Sequence, residues 1–133
     1  MNFSENLKIG AVAQKTDSVS EKNIATVWGT GGLAVYSTPA MIALMECAAV
    51  TAVDYLLPPG CSTVGSEVDA RHISASPPGM KITAKAELTG IDGRALSFKV
   101  EAFDEAGKIG EGTHGRFIVE NEKFLAKVKS KEK

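Results

Sequence analysis

Cysteine and histidine are scarce in this chain, and neither sign of charge dominates. Its 133 residues include two cysteines and two histidines, and the formal net charge at pH 7 is −1. Cys47 and Cys61 form neither a CxxC pattern nor a disulfide framework, so we expect a reduced, cytoplasmic protein. Cys47 lies in an apolar segment and is predicted to be a small core residue. The balanced charge gives no electrostatic reason to expect nucleic acid or an anionic membrane as a partner.

Long hydrophobic runs are also missing from the sequence. The longest, residues 39–50, is interrupted by Glu46 and falls short of the roughly 18 residues that cross a bilayer. The N-terminal segment has no basic region followed by an apolar one, so we expect no secretory signal. Two histidines and two cysteines are too few for an ordinary structural zinc site, and the glycines at 29–32 lack the spacing of a phosphate-binding loop. We therefore expect no metal and no cofactor.

The chain does contain enough apolar side chains to build one domain. A composition of 44% hydrophobic and 23% charged residues is typical of a soluble globular protein. A chain of this length can bury a sizeable core without disulfides or metals. We therefore predict a single domain that spans residues 1–133.

The stretch YSTPAMIALMECAAV, residues 36–50, predicts a buried helix that carries one unexplained acid. We predict this helix over 39–56, with Thr38 as its N-cap and Pro39 in the first helical position. Its residues are apolar nearly all round, which is typical of a helix buried on most of its circumference. A carboxylate such as Glu46 on a buried helix costs several kcal/mol unless it is paired or neutralised.

After this helix the hydrophobic period changes to that of strands. The apolar residues of 81–88 and of 96–102 alternate with polar ones, and Asp92-Gly93 between them is a typical hairpin turn. Further elements are predicted as strands at 7–14, 63–73 and 108–119 and a short helix at 21–26, and the tail is predicted as either a short amphipathic helix or a frayed basic end. The sequence thus predicts an α+β fold in which an antiparallel sheet curls around one long helix. Its unpaired edges predict self-association.

His72 is the second candidate for chemistry. The alternation of residues 63–73 places it on the apolar face, turned toward the helix. A bulge would upset this phase, and Gly65 is a residue at which the strand would accommodate one. On its own, a histidine in such a place is more often a hydrogen-bonded core residue than a catalyst. In the same way Thr38 alone is a cap, and Glu46 alone is an acid with a structural partner. Together the three supply a hydroxyl, a base and a carboxylate, which are the parts of a nucleophilic or hydrolytic site.

Four segments of the sequence resemble the hotdog-fold thioesterases related to fluoroacetyl-CoA thioesterase. They are WGTGGLAVYSTPAMIALMECAAV, TVGSEVDARHISASPPGMKI, GRALSFKVEAFDE and GEGTHGRFIVE, and the likeness covers about residues 5 to 128 in order. The family's threonine falls on Thr38, its glutamate on Glu46 and its histidine on His72. The family's backbone donor near the thioester falls on Gly65.

The resemblance implies a hotdog fold, a dimer with active sites at the subunit interface, and hydrolysis of an acyl-CoA thioester. Thr38 would be the nucleophile or position water, and His72 would be general base and then acid. Glu46 would orient His72 or polarise Thr38 or water, and the backbone of Gly65 would help to stabilise the oxyanion. His114 also matches a family pattern, but the glycines around it favour a structural role. Whether dimers pair further into tetramers stays open.

Fluoroacetyl-CoA as substrate does not follow from the resemblance, because selection of one small acyl group depends on the shape of the pocket. Two other functions stay open at this point. A hydratase or dehydratase would require an Asp–His pair in a hydratase-type loop, and the sequence has no such motif. A non-catalytic protein that binds acyl-CoA or another metabolite would keep the pocket without turnover, and the presence of all three side chains argues against it.

Overall fold

A computed structural model of the chain describes residues 2–132. Nine elements follow one another along the chain. They are β1 (Val12–Ser18), α1 (Ala25–Trp28), α2 (Thr38–Val53), a 3-10 turn (Asp54–Leu56), β2 (Cys61–His72), β3 (Lys81–Asp92), β4 (Ala95–Phe103), β5 (Lys108–Glu120) and α3 (Asn121–Lys129). The five strands form one antiparallel sheet in the order β1-β3-β4-β5-β2, so that β1 and β2 are its edges. The predicted antiparallel sheet and long helix are confirmed.

The sheet curls around α2 and buries one face of it. The helix packs mainly against β1 and β3. Its buried residues are Ala40, Met41, Met45, Ala48, Ala49, Ala52 and Val53. Many of these side chains are small, which lets the helix lie close to the strands. Gly110 on β5 shows how close, because a Cβ there would overlap the sulfur of Met41.

The alternating strands follow their sequence pattern. The apolar positions of β3 and β4 face the helix and are buried: Ile82, Ala84, Ala86, Leu88, Leu96, Phe98, Val100 and Ala102. The predicted hairpin joins the two strands, and Gly93 there has a φ of 62°, a conformation that favours glycine. One buried face therefore determines the phase of both strands.

Three predicted boundaries near the N-terminus are wrong. The first strand covers 12–18 instead of 7–14, because this edge strand is defined by its pairing with β3, from Val12 opposite Glu87 to Ser18 opposite Lys81. The short helix begins at Ala25 instead of at 21, because the Asn23 side chain and backbone hold residues 20–23 in a turn. The cap of α2 is Ser37, whose hydroxyl accepts a hydrogen bond from the N–H of Ala40 at 3.2 Å, and Thr38 is the first helical residue.

The outer face of α2 is not covered by the sheet. Ala43, Cys47 and Thr51 are exposed along it, so the prediction of Cys47 as a core residue is wrong. Within residues 2–132, no second layer of the same chain covers this side. Residues 38–56 are also long and apolar enough to cross a membrane by length and composition. Here the segment is the helix around which the sheet is wrapped.

Strand β2 contains a bulge at Gly65, the residue that the sequence marks as a place for one. Its pairing with β5 shifts between Gly65 and Glu67. Thr63, before the bulge, is buried, whereas after the bulge the more buried positions are the even ones, including Val68, Ala70 and His72. The extra residue changes which side chains face the helix.

Candidate active site

The hydroxyl of Thr38 and the imidazole of His72 form a hydrogen-bonded pair. Thr38 lies in the first turn of α2 and His72 ends β2, and Oγ1 of Thr38 is 2.8 Å from Nδ1 of His72. Because Ser37 caps the helix, the Thr38 hydroxyl is free to bond outside it. This is the contact that a general base needs in order to take the proton of an attacking hydroxyl.

The surroundings of His72 keep its imidazole neutral. Burial lowers the pKa of His72 from its ordinary value of 6.5, and the backbone of Ser74 offsets part of this effect. Nε2 is covered by the surrounding chain and makes no hydrogen bond of normal geometry with any described residue. Within the described chain, the partner of this imidazole for proton transfer is therefore Thr38, through Nδ1.

A cavity of about 420 Å³ lies beside this pair. It is lined by Thr38 and His72 and by parts of the segments 30–37 and 73–75. Among the described residues that line it there is no aspartate, glutamate, lysine or arginine. Gly31 and Gly32 contribute no side chain, so this part of the cavity lining consists of backbone alone. An uncharged group attached to a thioester fits such a lining better than a carboxylate does.

Glu46 lies elsewhere on α2. It follows Thr38 by eight residues, which places the two about 12 Å apart along the helix axis. Oε1 of Glu46 is 3.5 Å from a terminal guanidinium nitrogen of Arg116 and 3.9 Å from Nε2 of His114. Its side chain is 39% exposed. Within the described chain, the carboxylate is thus paired with Arg116, beside the His114 ring, and not with His72.

Gly65 accompanies Glu46 and not the Thr38–His72 pair. A Cβ at Gly65 would overlap Oε1 of Glu46. Since α2 and β2 run in opposite directions, the start of the helix meets the end of the strand, and Glu46 meets the strand near its beginning. The four predicted site residues therefore form two separate pairs in one chain.

Arg116 is the residue that sequence reasoning missed. It is only 7% exposed, and its Nε donates to the Thr63 hydroxyl at 2.8 Å while a terminal nitrogen donates to the Thr63 carbonyl at 3.0 Å. The Thr63 hydroxyl donates in turn to Asp54 at 2.6 Å. The sequence held one signal, because Arg116 follows His114 by two residues on a strand and so shares its face.

His114 supports this network in a defined tautomer. Its Nδ1 is 2.7 Å from the carbonyl oxygen of Glu67, and because a carbonyl only accepts, Nδ1 carries the hydrogen. Nε2 of the neutral ring then accepts from Arg116 at 3.2 Å. Burial lowers the pKa of His114, the bond to Glu67 raises it in part, and the Arg116 charge lowers it further. These contacts agree with the structural role expected for His114.

Comparison with known proteins adds an independent line of evidence. The family model described as fluoroacetyl-CoA-specific thioesterase, FlK, matches residues 19–122. The fluoroacetyl-CoA thioesterase of Streptantibioticus cattleyicolor is 43% identical over 97 residues, which cover 73% of this chain and 70% of that one.

Solved structures show the same likeness. One of FlK is 33% identical, with a TM-score of 0.88 over 97% of this chain and 100% of that one. Variants of FlK have been solved with fluoroacetate and with acetyl-CoA. A hot-dog-like protein from Thermanaerovibrio acidaminovorans has a TM-score of 0.91 at 22% identity, over 100% of this chain and 98% of that one, and this match supports the hotdog fold alone.

Proposed function

Because the chain belongs to the fluoroacetyl-CoA-specific thioesterase family and has the hotdog fold, we propose that it hydrolyses a small acyl-CoA thioester to the free acid and CoA. Membership of this family makes the chain a thioester hydrolase. The observation that carries the proposal is the 2.8 Å contact between the Thr38 hydroxyl and Nδ1 of His72 beside the cavity. We take residues 1–133 as one soluble thioesterase domain that works in the cytoplasm.

Thr38 and His72 perform the central step. His72 accepts the proton, either from the Thr38 hydroxyl as it attacks the thioester carbonyl or from a water molecule that Thr38 holds. The protonated His72 then gives this proton to the departing CoA thiolate. Where Thr38 is the nucleophile, water then hydrolyses the acyl-Thr38 ester, with His72 accepting the proton of the water and returning it to the Thr38 oxygen, which releases the free acid. Backbone N–H groups, including that of Gly65, stabilise the oxyanion, and each such donor contributes about 3 kcal/mol to the transition state.

We propose further that the active site is completed by a second copy of the chain. Glu46 lies about 12 Å along α2 from Thr38, and Gly65 packs against Glu46, so neither can act on the same carbonyl as the Thr38–His72 pair within one chain. Glu46 is half-exposed beside the outer face of α2, where Ala43 and Cys47 are also uncovered. Two such faces buried against each other form a homodimer, in which Glu46 and Gly65 of one copy join Thr38 and His72 of the other. Pairing of dimers into tetramers is compatible with this arrangement.

The geometry favours one of the roles expected for Glu46. Nδ1 of His72 is occupied by Thr38, and Nε2 is covered by its own chain. A carboxylate that arrives from a second copy therefore acts on the Thr38 hydroxyl or on water and does not orient His72.

The cavity indicates an uncharged acyl group. Because no described lining residue carries a formal charge at neutral pH, a substrate carboxylate would lose its hydration without gaining a partner. The relatives that have been solved with acetyl-CoA and with fluoroacetate support a small acyl group on CoA. Fluorine itself is not part of the proposal.

A thiol-release assay over short, medium, aromatic and dicarboxylic acyl-CoAs tests the proposal, with Thr38→Ala, Glu46→Gln and His72→Ala beside the wild type. Thr89→Ala, which changes an exposed threonine on β3, is the matched control. We expect turnover of an uncharged acyl-CoA and a large loss in the three variants only. If all three match the wild type, the site assignment is wrong. Calorimetric binding of acyl-CoA without any thiol release would instead indicate a binding protein.

A further inference from the structure

We infer that Arg116 is a positioning residue, whose buried guanidinium fixes the carboxylate of Glu46 for thioester cleavage. The inference rests on the role proposed above for Glu46. It concerns how this chain holds its acid in place, since a half-exposed glutamate on a helix surface otherwise samples several rotamers.

Arg116 is anchored independently of Glu46. Its Nε and one terminal nitrogen both bind Thr63, at 2.8 and 3.0 Å. Because the guanidinium is planar and its donors form a rigid fork, two bonds to one residue determine the direction of the remaining nitrogen. That nitrogen, Nη1, lies 3.2 Å from Nε2 of His114 and 3.5 Å from Oε1 of Glu46.

The negative charge of Asp54 also stabilises the charged form of Arg116. Asp54 accepts hydrogen bonds from the hydroxyl of Thr63 at 2.6 Å and from its backbone N–H at 3.2 Å, and it places a negative charge behind the guanidinium. The buried cation therefore does not depend on Glu46 alone for its compensation. Arg116 is anchored and only 7% exposed, whereas the side chain of Glu46 is 39% exposed. The cation is therefore the fixed member of the pair, and it orients the acid.

The same network holds Gly65. The His114 ring bonds to the carbonyl of Glu67, on the far side of the bulge from Gly65. A Cβ at Gly65 would lie 3.4 Å from Arg116 and 3.6 Å from His114, besides overlapping Glu46. Arg116 and His114 thus surround the place where the carboxylate of Glu46 meets the backbone of Gly65.

The test compares Arg116→Met, which keeps the apolar stem, with Arg116→Lys, which keeps the charge and loses the fork. Arg94→Met, at the β3–β4 turn, is the control for removal of one positive charge. We expect Arg116→Met to lower kcat roughly 10- to 100-fold with little change in KM. Arg116→Lys restores only part of the rate, and Arg94→Met leaves it unchanged.

A double-mutant cycle separates positioning from a merely structural role. In the Glu46→Gln background, Arg116→Met has no carboxylate to position, and we expect no further loss of kcat. An equal loss in both backgrounds would overturn the inference. If Arg116→Met does not fold, Thr63→Val removes the hydroxyl anchor with little change in volume and is tested in the same two backgrounds. A wild-type rate for Glu46→Gln would instead count against the proposed function itself.

Discussion

The backbone of Gly65 packs directly against the carboxylate of Glu46, with no space for a side chain between them. Gly65 lies at the bulge in β2, and its φ is not in the left-handed region, so steric room and not backbone conformation requires the glycine. This contact ties one position of the strand to one position of the helix.

Gly65→Ala is therefore expected to displace the Glu46 carboxylate. Because Glu46 is half-exposed, its side chain can swing toward solvent, so the free energy of unfolding should change by only about 1 kcal/mol. Thioesterase activity should fall about tenfold or more, since the acid and its neighbouring backbone no longer hold their positions. Gly90→Ala, beside the register shift in β3, is the matched control. Equal activity of the two variants would contradict this account.

Neighbouring hydroxyls at the start of α2 have separate tasks. Ser37 caps the helix, and Thr38 bonds to His72. Ser37→Ala should lower the free energy of unfolding by about 1 kcal/mol and leave the folded enzyme active. Thr38→Ala should abolish most activity with little effect on stability. Thermal melts and initial rates on the same samples measure both, and a reversed pattern would show that Thr38 is the cap.

The pH dependence of kcat/KM should report on His72. The imidazole must be neutral to accept a proton, and burial lowers its pKa below the ordinary value of 6.5. Activity should therefore persist as pH falls through 6.5 and decline only at a more acidic pH. Thermal melts at each pH separate this acid limb from unfolding, because the fold itself also becomes less stable as the pH falls below 6.5. Burial lowers the pKa of His114 in the folded chain, so the unfolded chain binds a proton at this histidine more readily. An acid limb at or above 6.5 in a stably folded enzyme would rule out His72 as described.

The glycine backbone that lines the cavity offers a test of which acyl groups the site accepts. Gly32 lines the cavity, and a Cβ there would have nothing within 4 Å. Gly32→Leu should fold normally and place its side chain over the cavity. We expect kcat/KM to fall for medium-chain acyl-CoAs by roughly 10- to 200-fold more than for acetyl-CoA, which serves as the internal control. A uniform change for all chain lengths would mean that this wall does not contact the acyl group.

The parts of the fold that were predictable are those in which one buried face controls the pattern. In β3 and β4 every second residue faces α2, so alternation alone identified both strands. The predicted limits of β1 are wrong because they depend on pairing with β3, and the sequence does not show that register. Ser37 and Thr38 both suit a cap, and only the position of His72 separates their roles.

The sequence nominates the residues of the candidate site but does not predict how their side chains pair. Thr38 and His72 are in hydrogen-bond contact, whereas the partner of Glu46 is Arg116, which lies 70 residues away. A sequence pattern identifies an acid that needs compensation but not which cation reaches it. The predicted burial of Cys47 is wrong for a related reason. An apolar helix is exposed on one side when only one sheet covers it.

Mixing two inactive variants tests whether the site is shared between chains. A heterodimer of Thr38→Ala and Glu46→Gln contains one site with both changes and one with neither, provided that each site takes Thr38 from one copy and Glu46 from the other. Random pairing of equal amounts makes half of the dimers mixed, so activity should recover to about a quarter of the wild-type value.

The mixture must be exchanged through partial denaturation or by co-expression, with each variant alone as the blank and sizing to confirm dimers. If Thr38 and Glu46 acted within one chain, every mixed dimer would carry two damaged sites and no activity would return. A monomer on sizing that is still active would exclude the shared site directly. Recovery of activity would place Glu46 of one copy beside Thr38 of the other. A site that uses both residues needs this arrangement, because they lie about 12 Å apart along α2 of one chain.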